Sequence, residues 1–194
     1  MKYSVDKLSR SVLRRSAIQN PKKKLLVVID MQNDFVYGDL GTDEAKAICS
    51  KVVDYVNNFD GDIFFTKDTH YAGYLDSQEG KKLPVRHCVF QTNGWELIDG
   101  LDEKKAKGVF LKTTFGSTRL AECIAKLQEE YNYYSEVQIC GLCTGICVIS
   151  NAMLIKAFCP EIPIKVIADL CACVTPESHQ RALESMKTCQ IDII

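Results

Sequence analysis

Residues 25–29, LLVVI, are apolar at every position. A strand with one face in water alternates polar and apolar side chains, so an unbroken apolar run marks a strand buried on both faces, as in a parallel sheet covered by helices. The run stops at Asp30. The same pattern returns along the chain and predicts strands at 62–66, 108–111, 137–140 and 164–168, with a short last one at 191–194. Helical patterns fall between them. One is capped by Thr42 or Asp43 and carries Ala47, Ile48, Val52, Val53 and Val56 at helical spacing; another is capped by Ser117 or Thr118 and runs to about Tyr131. A third follows Thr144 to about Phe158, and a fourth runs from Pro176 to about Cys189. Strands alternating with helices predict an α/β fold, a three-layer α/β/α sandwich with a mainly parallel sheet.

In such sheets ligands bind beyond the carboxyl ends of the strands. Asp30, Asp68, Lys112, residues 142–147 and Asp169 all fall just past predicted strand ends, so one edge of the sheet is expected to gather them. The segment VQICGLCTGICV, residues 137–148, reads as strand, tight turn and helix. With Thr144 as N-cap, Cys147 would lie in the first helical turn, where free backbone N–H groups and the helix dipole favour an anion. A cysteine so placed is expected to be largely a thiolate nucleophile, and the amides of the same turn could hold a developing oxyanion. The plainer reading is a small buried hydrophobe at the start of a core helix. Asp30, Lys112 and Cys147 together are the equipment for amide hydrolysis through a thioester: a carboxylate to move the thiol proton and a lysine to steady both anions.

The polar stretch 67–92 is too long for a simple connection and is a functional candidate. Asp68 and His70 stand two apart at its start, with Glu79 and His87 further on. Carboxylate and imidazole ligands of this kind suit one divalent metal ion, zinc first, with iron or manganese as alternatives. Asp76 could stand in for Glu79. Another class of reading is a cysteine-ligated metal module built on Cys140, Cys143, Cys147 and Cys159; against it, Cys140 belongs to a buried strand and should point away from the turn. A third is a binding protein on the same fold that has lost catalysis.

The 194 residues suffice for a proper core, and a hydrophobic content of 46% with 25% charged residues is ordinary for a globular protein. A formal net charge of −1 gives no reason to expect nucleic acid as a partner. No stretch approaches the ~18 apolar residues of a membrane span, and the first twenty residues lack a secretory apolar core, so a cytoplasmic protein without a membrane partner is expected. The ten cysteines are then read as thiols. Residues 1–23 are expected to form an N-terminal extension, an amphipathic helix on Val5, Leu8, Val12 and Leu13, followed by a single domain at 24–194.

Five motifs, in order, are similar to those of the isochorismatase-like cysteine hydrolases and, among them, the nicotinamidases. They are LLVVIDMQNDF, FFTKDTH, VFLKTTFGST, GLCTGICV and VIADLCACVTPESHQRAL. The resemblance covers roughly residues 25–183. It implies Asp30, Lys112 and Cys147 as catalytic triad, a cis peptide at Leu142–Cys143, and an oxyanion hole from the amides of Cys143 and Cys147. It also implies a metal held by Asp68, His70 and His87, with Glu79 added as in some members, to which the substrate's pyridine nitrogen binds. The substrate would be a small amide, nicotinamide first, cleaved to nicotinate and ammonia in NAD salvage, with another amide or carbamoyl substrate of the superfamily as the alternative. Phe35 and Phe115 match aromatic pocket positions. The aromatic residue common three or four positions before the distal metal histidine is here Leu83 or Pro84, so Leu83 offers a wall without stacking. Trp95 finds no place in that pocket, His179 is expected to be a structural hydrogen-bonder, and a homo-oligomer is expected from the resemblance.

Overall fold

The structure, a computed structural model, describes residues 22–194. The expected helix in the first twenty residues lies outside them. The strands are β1 (Lys23–Ile29), β2 (Asp62–Asp68), β3 (Gly108–Lys112), β4 (Tyr134–Leu142), β5 (Ile164–Ala172) and β6 (Asp192–Ile193). They form one sheet in the order β3-β2-β1-β4-β5-β6, and every neighbouring pair is parallel. The α-helices are α1 (Asn33–Val36), α2 (Asp43–Asn57), α3 (Gln78–Lys82), α4 (Thr118–Tyr131), α5 (Ile149–Phe158) and α6 (Pro176–Thr188).

Right-handed crossovers decide where the helices go. The step from β1 to β2 runs toward one edge and carries α2; the steps from β3 onward run the other way and carry α4, α5 and α6 across the opposite face, where α5 packs on both α4 and α6. The unbroken run 25–29 is fully buried between these layers, as its composition requires. The long helices begin where side chains take up free amides: Thr42 accepts from the Ala45 amide at 3.0 Å, Ser117 from that of Leu120 at 3.2 Å, and Thr175 forms a reciprocal box with Ser178 at the start of α6. Among the described residues no helix is long and apolar enough to cross a membrane. All ten cysteines are free thiols.

The strand order reverses between β1 and β4, and such a switch point opens a crevice at the carboxyl ends of the strands. Gly141 closes the two strands there. Its φ is +115°, and a Cβ would fall 2.1 Å from the Ile29 carbonyl oxygen, so only glycine allows this approach.

Two boundaries differ from the sequence expectation. β4 continues through Gly141 to Leu142 instead of stopping at Cys140. β5 reaches Ala172, and the register passes from Ile139↔Val166 to Gly141↔Cys171, so β5 bulges across residues 167–170. Asp169 therefore lies exposed within the bulge and not at the site edge, which corrects its expected placement.

Candidate active site

Three strand ends deliver the central cluster. Asp30 follows β1, Lys112 ends β3, and Cys147 sits in the turn after β4; all three are at least nine-tenths buried. The Lys112 ammonium lies 2.6 Å from Asp30 Oδ2 and 3.5 Å from Cys147 Sγ. Asp30 has a positive φ of 47°, which turns the chain sharply out of β1. Thr66 fixes the carboxylate from below: its hydroxyl donates to Asp30 Oδ1 at 2.6 Å and accepts from the Asp30 amide at 3.2 Å. Oδ2 has no well-formed hydrogen bond besides its ionic contact, which leaves a buried acceptor beside the thiol.

Burial pushes the Asp30 carboxyl above its usual range, against the pull of Lys112. Burial also works against the Lys112 ammonium, but Asp30, the Cys147 sulfur and Asp68 outweigh it and hold that lysine charged. Cys147 corrects an expectation. Its pKa is raised well above that of an ordinary thiol, first by burial and then by the Asp30 charge, with Lys112 opposing. The helix-terminus argument loses because the sulfur has left water, so the resting group is a thiol with its base alongside.

Nor is Thr144 the N-cap. Residues Thr144–Val148 form a π-helical turn with Cys143 in the capping position, and α5 follows directly. The amides of Ile146 and Val148 turn back onto the Cys143 carbonyl at 3.0 and 3.1 Å. The Leu142–Cys143 peptide is cis, as the resemblance implied. Thr144 is fully buried and pairs through Oγ1 with His179 Nδ1 at 2.8 Å, the structural hydrogen bond expected of that histidine.

Beside this cluster, Asp68, His70, Glu79 and His87 bring one ligand atom each to within 4.8 Å of one another. His70 Nε2 lies 3.0 Å and His87 Nε2 3.5 Å from Asp68 Oδ2; Glu79 Oε1 is 3.8 Å from His70 and 4.0 Å from His87. The His87 Nδ1–H donates to the Val85 carbonyl at 2.8 Å, which fixes the tautomer with Nε2 turned to the cluster. Two imidazoles and two carboxylates, three of them buried, are a donor set that fits a divalent cation. Burial would raise the Asp68 carboxyl, but hydrogen bonds with His70 and His87 and the Lys112 charge hold it well below the usual range. His87 is raised despite its burial, chiefly by Asp68. Asp76 is exposed and stands outside the group, and no cysteine belongs to it, which removes the support for a cysteine-ligated module among the described residues.

The walls are uneven. Phe35 lies against His87 with ring centroids 5.4 Å apart. Phe115 and Leu83 are 48% and 36% exposed, so neither forms a buried floor. The aromatic surface that the sequence did not offer comes from Tyr74. Buried beside both imidazoles at 4.4 and 5.0 Å, it donates its hydroxyl to the Leu83 carbonyl at 2.9 Å. No spacing rule pointed to it. Gln32, two residues past Asp30, brackets the Asp68 backbone by donating to its carbonyl at 2.9 Å and accepting from its amide at 2.7 Å. Trp95 supports this loop from behind, with the Lys67 ammonium 3.3 Å from its ring centre and its indole N–H on Thr69 at 2.9 Å. A cleft of about 530 Å³ opens at the opposite, N-terminal edge of the sheet, between Tyr134, Phe158 and Ile162, and contains none of these groups.

A buried thiol, carboxylate and ammonium at the switch point of a doubly wound parallel sheet define a hydrolase-type site. Comparison with known proteins agrees. The isochorismatase domain model matches residues 24–194, and the chain belongs to the isochorismatase family. It is 26% identical over 187 residues to the nicotinamidase/pyrazinamidase of Mycobacterium tuberculosis, covering 88% of this chain and 98% of that protein. Among solved structures, the pyrazinamidase of Pyrococcus horikoshii in complex with zinc is 30% identical, with a TM-score of 0.76 over 89% of this chain and 98% of that one. A nicotinamidase from Bacillus subtilis is 28% identical, with a TM-score of 0.72 over 88% and 98%. The protein is a hydrolase acting on amide bonds.

Proposed function

We propose that this chain is a cysteine amidohydrolase that converts nicotinamide to nicotinate and ammonia, with Asp30, Lys112 and Cys147 as its catalytic residues. The observation that carries the reading is the Lys112 ammonium in contact with both the Asp30 carboxylate and the Cys147 sulfur, so that the negative charge passed between them never lacks a partner. Asp30 takes the thiol proton as sulfur attacks the carboxamide carbon. The developing oxyanion is received by the backbone amides of Cys143 and Cys147. Collapse breaks the C–N bond, and the proton on Asp30 leaves with ammonia. Water, deprotonated by the same carboxylate, then cleaves the thioester and restores the thiol.

Asp68, His70, Glu79 and His87 would hold one divalent ion, zinc first, the metal found in complex with the pyrazinamidase from Pyrococcus horikoshii. That ion would supply a Lewis-acid contact for a ring nitrogen of the substrate. Phe35, Tyr74 and Leu83 surround the same donors and, with the more exposed Phe115, would wall a flat ring. The product suits NAD salvage inside the cell, and the domain would span 24–194.

The test is ammonia release from nicotinamide by the purified protein, with Cys147→Ala as control and metal content measured on the same sample. Release that falls at least about a thousandfold in Cys147→Ala, with unchanged folding by circular dichroism, is the expected result. Retained turnover in the variant would refute the nucleophile. A metal-loaded protein that leaves nicotinamide intact, yet cleaves another small amide through Cys147, would keep the chemistry and move the substrate.

A further inference from the structure

One buried side chain ties the turn of Cys147 to the loop that follows β3. Asn151, in the first turn of α5, is completely buried. Its Nδ2 donates to the Cys147 carbonyl at 2.8 Å and to the Phe115 carbonyl at 3.1 Å, and its Oδ1 accepts from the Ser117 amide at 2.9 Å. A primary amide has two hydrogens to give, and both go to backbone carbonyls on different segments. The loop so held, residues 113–116, joins Lys112 at the end of β3 to Ser117 at the cap of α4 and is exposed at 113–115. It also lies flat on α5: a Cβ on Gly116 would meet Leu154 Cδ1 at 2.6 Å and the Ser150 carbonyl at 3.2 Å. Asn151 thus bridges the backbone of Cys147 and the far end of the segment that begins with Lys112.

We propose that Asn151 is a positioning residue for the hydrolytic reaction, fixing the Cys147 sulfur against the Lys112 ammonium. The proposal rests on the reading of Cys147 as nucleophile. The Lys112 ammonium stands 3.5 Å from the Cys147 sulfur, an ordinary distance for an N–H···S contact, and a slide of the π-helical turn against the 113–116 loop lengthens it and weakens the pairing. Misplacement of a reacting group by about 1 Å costs on the order of a hundredfold in rate. Packing alone would explain a buried residue at this position. It does not explain an amide whose two donors and one acceptor join the nucleophile's own carbonyl to the loop that follows its cation.

Two variants separate the readings. Asn151→Asp keeps the shape and the acceptor for Ser117 but loses the two N–H donors that serve both carbonyls at once; Asn151→Ala removes all three bonds. Met153→Ala, on the exposed side of the same helix, is the control. Three quantities are measured: kcat and KM for nicotinamide, the site-resolved rate of Cys147 alkylation by iodoacetamide at pH 8, and the melting temperature with metal content. In both Asn151 variants kcat is expected to fall about tenfold or more with KM within about threefold, and Cys147 alkylation to slow about fivefold or more as the sulfur loses its cation. Met153→Ala should match the wild type throughout.

A lower melting temperature with unchanged kcat and unchanged alkylation would make Asn151 a residue of the fold only and overturn the proposal. Failure of both variants to fold would do the same. Alkylation needs no knowledge of the natural amide, so it decides the matter even if nicotinamide is not cleaved. Turnover that survives Cys147→Ala would instead bring down the nucleophile reading beneath it.

Discussion

The two clusters at the sheet edge are assembled in opposite ways. Asp30, Lys112 and Cys147 come from the ends of three strands far apart in sequence, and their charges meet one another: ammonium on carboxylate at 2.6 Å, with the sulfur beside it. Asp68, His70, Glu79 and His87 come from one stretch, 68–87, and present lone pairs to one another within 4.8 Å. The first cluster is electrically complete as folded. The second is a set of donors arranged around the place of a cation, with Asp68 joining the two through its Oδ1, 3.5 Å from Lys112. On the proposed mechanism the labour would divide, with proton movement at the strand ends and substrate placement at the loop.

The sharpest break between them is Asp30→Asn. Turnover should fall by about 10² to 10⁴ for loss of a general base, while the thiol, raised first by burial and then by the Asp30 charge, becomes more acidic once that charge is gone. Faster alkylation of Cys147 alongside slower turnover is the expected pair of results. Slower alkylation would show that Asp30 does not oppose the thiolate. Metal removal should act differently. A chelator is expected to abolish turnover of nicotinamide, restorable by zinc, and to leave Cys147 alkylation within about twofold. Acid should imitate the chelator, because metal ligation needs neutral imidazoles. Asp68 raises the His87 pKa above its ordinary ~6.5 in the metal-free site, so protons compete for that ligand from somewhat above this value downward. Metal retained in full at pH 5 would contradict the assignment of His87.

Within the loop, Glu79→Gln should weaken metal affinity about tenfold, and Asp76→Asn should leave it unchanged, read by competition with a metal indicator. Equal effects would mean that the exposed Asp76 swings in. Last and smallest is Leu83→Trp, which restores an aromatic wall. Stacking of about 0.5–1.5 kcal/mol predicts a KM lowered roughly twofold to tenfold at constant kcat. No change would place the substrate ring away from Leu83.

Strand centres were legible because burial on both faces writes itself as an unbroken apolar run. Strand ends were not. Gly141 reads as a breaker, yet it stays in β4 because its missing Cβ lets Ile29 approach; Asp169 reads as a strand end, yet pairing resumes beyond a bulge at Cys171. The chemical groups were legible by type and order, since strand-end residues share an edge whatever their separation in sequence. What the sequence hid was everything set by three-dimensional contact: the protonated state of Cys147, decided by burial; Thr66 beneath Asp30; and Tyr74, whose ring reaches the imidazoles through a turn with no periodic signature.

The left-handed backbone at Asp30 narrows what this position can become. Most side chains resist that conformation by about 1–2 kcal/mol, whereas asparagine, like aspartate, tolerates it. Position 30 can thus lose its charge and keep its turn through very few replacements, with asparagine the one that also keeps its shape. On the proposed mechanism, a descendant of this chain that binds small amides and cleaves them far more slowly lies a single substitution away, and an asparagine directly after the first strand is the mark by which to find one.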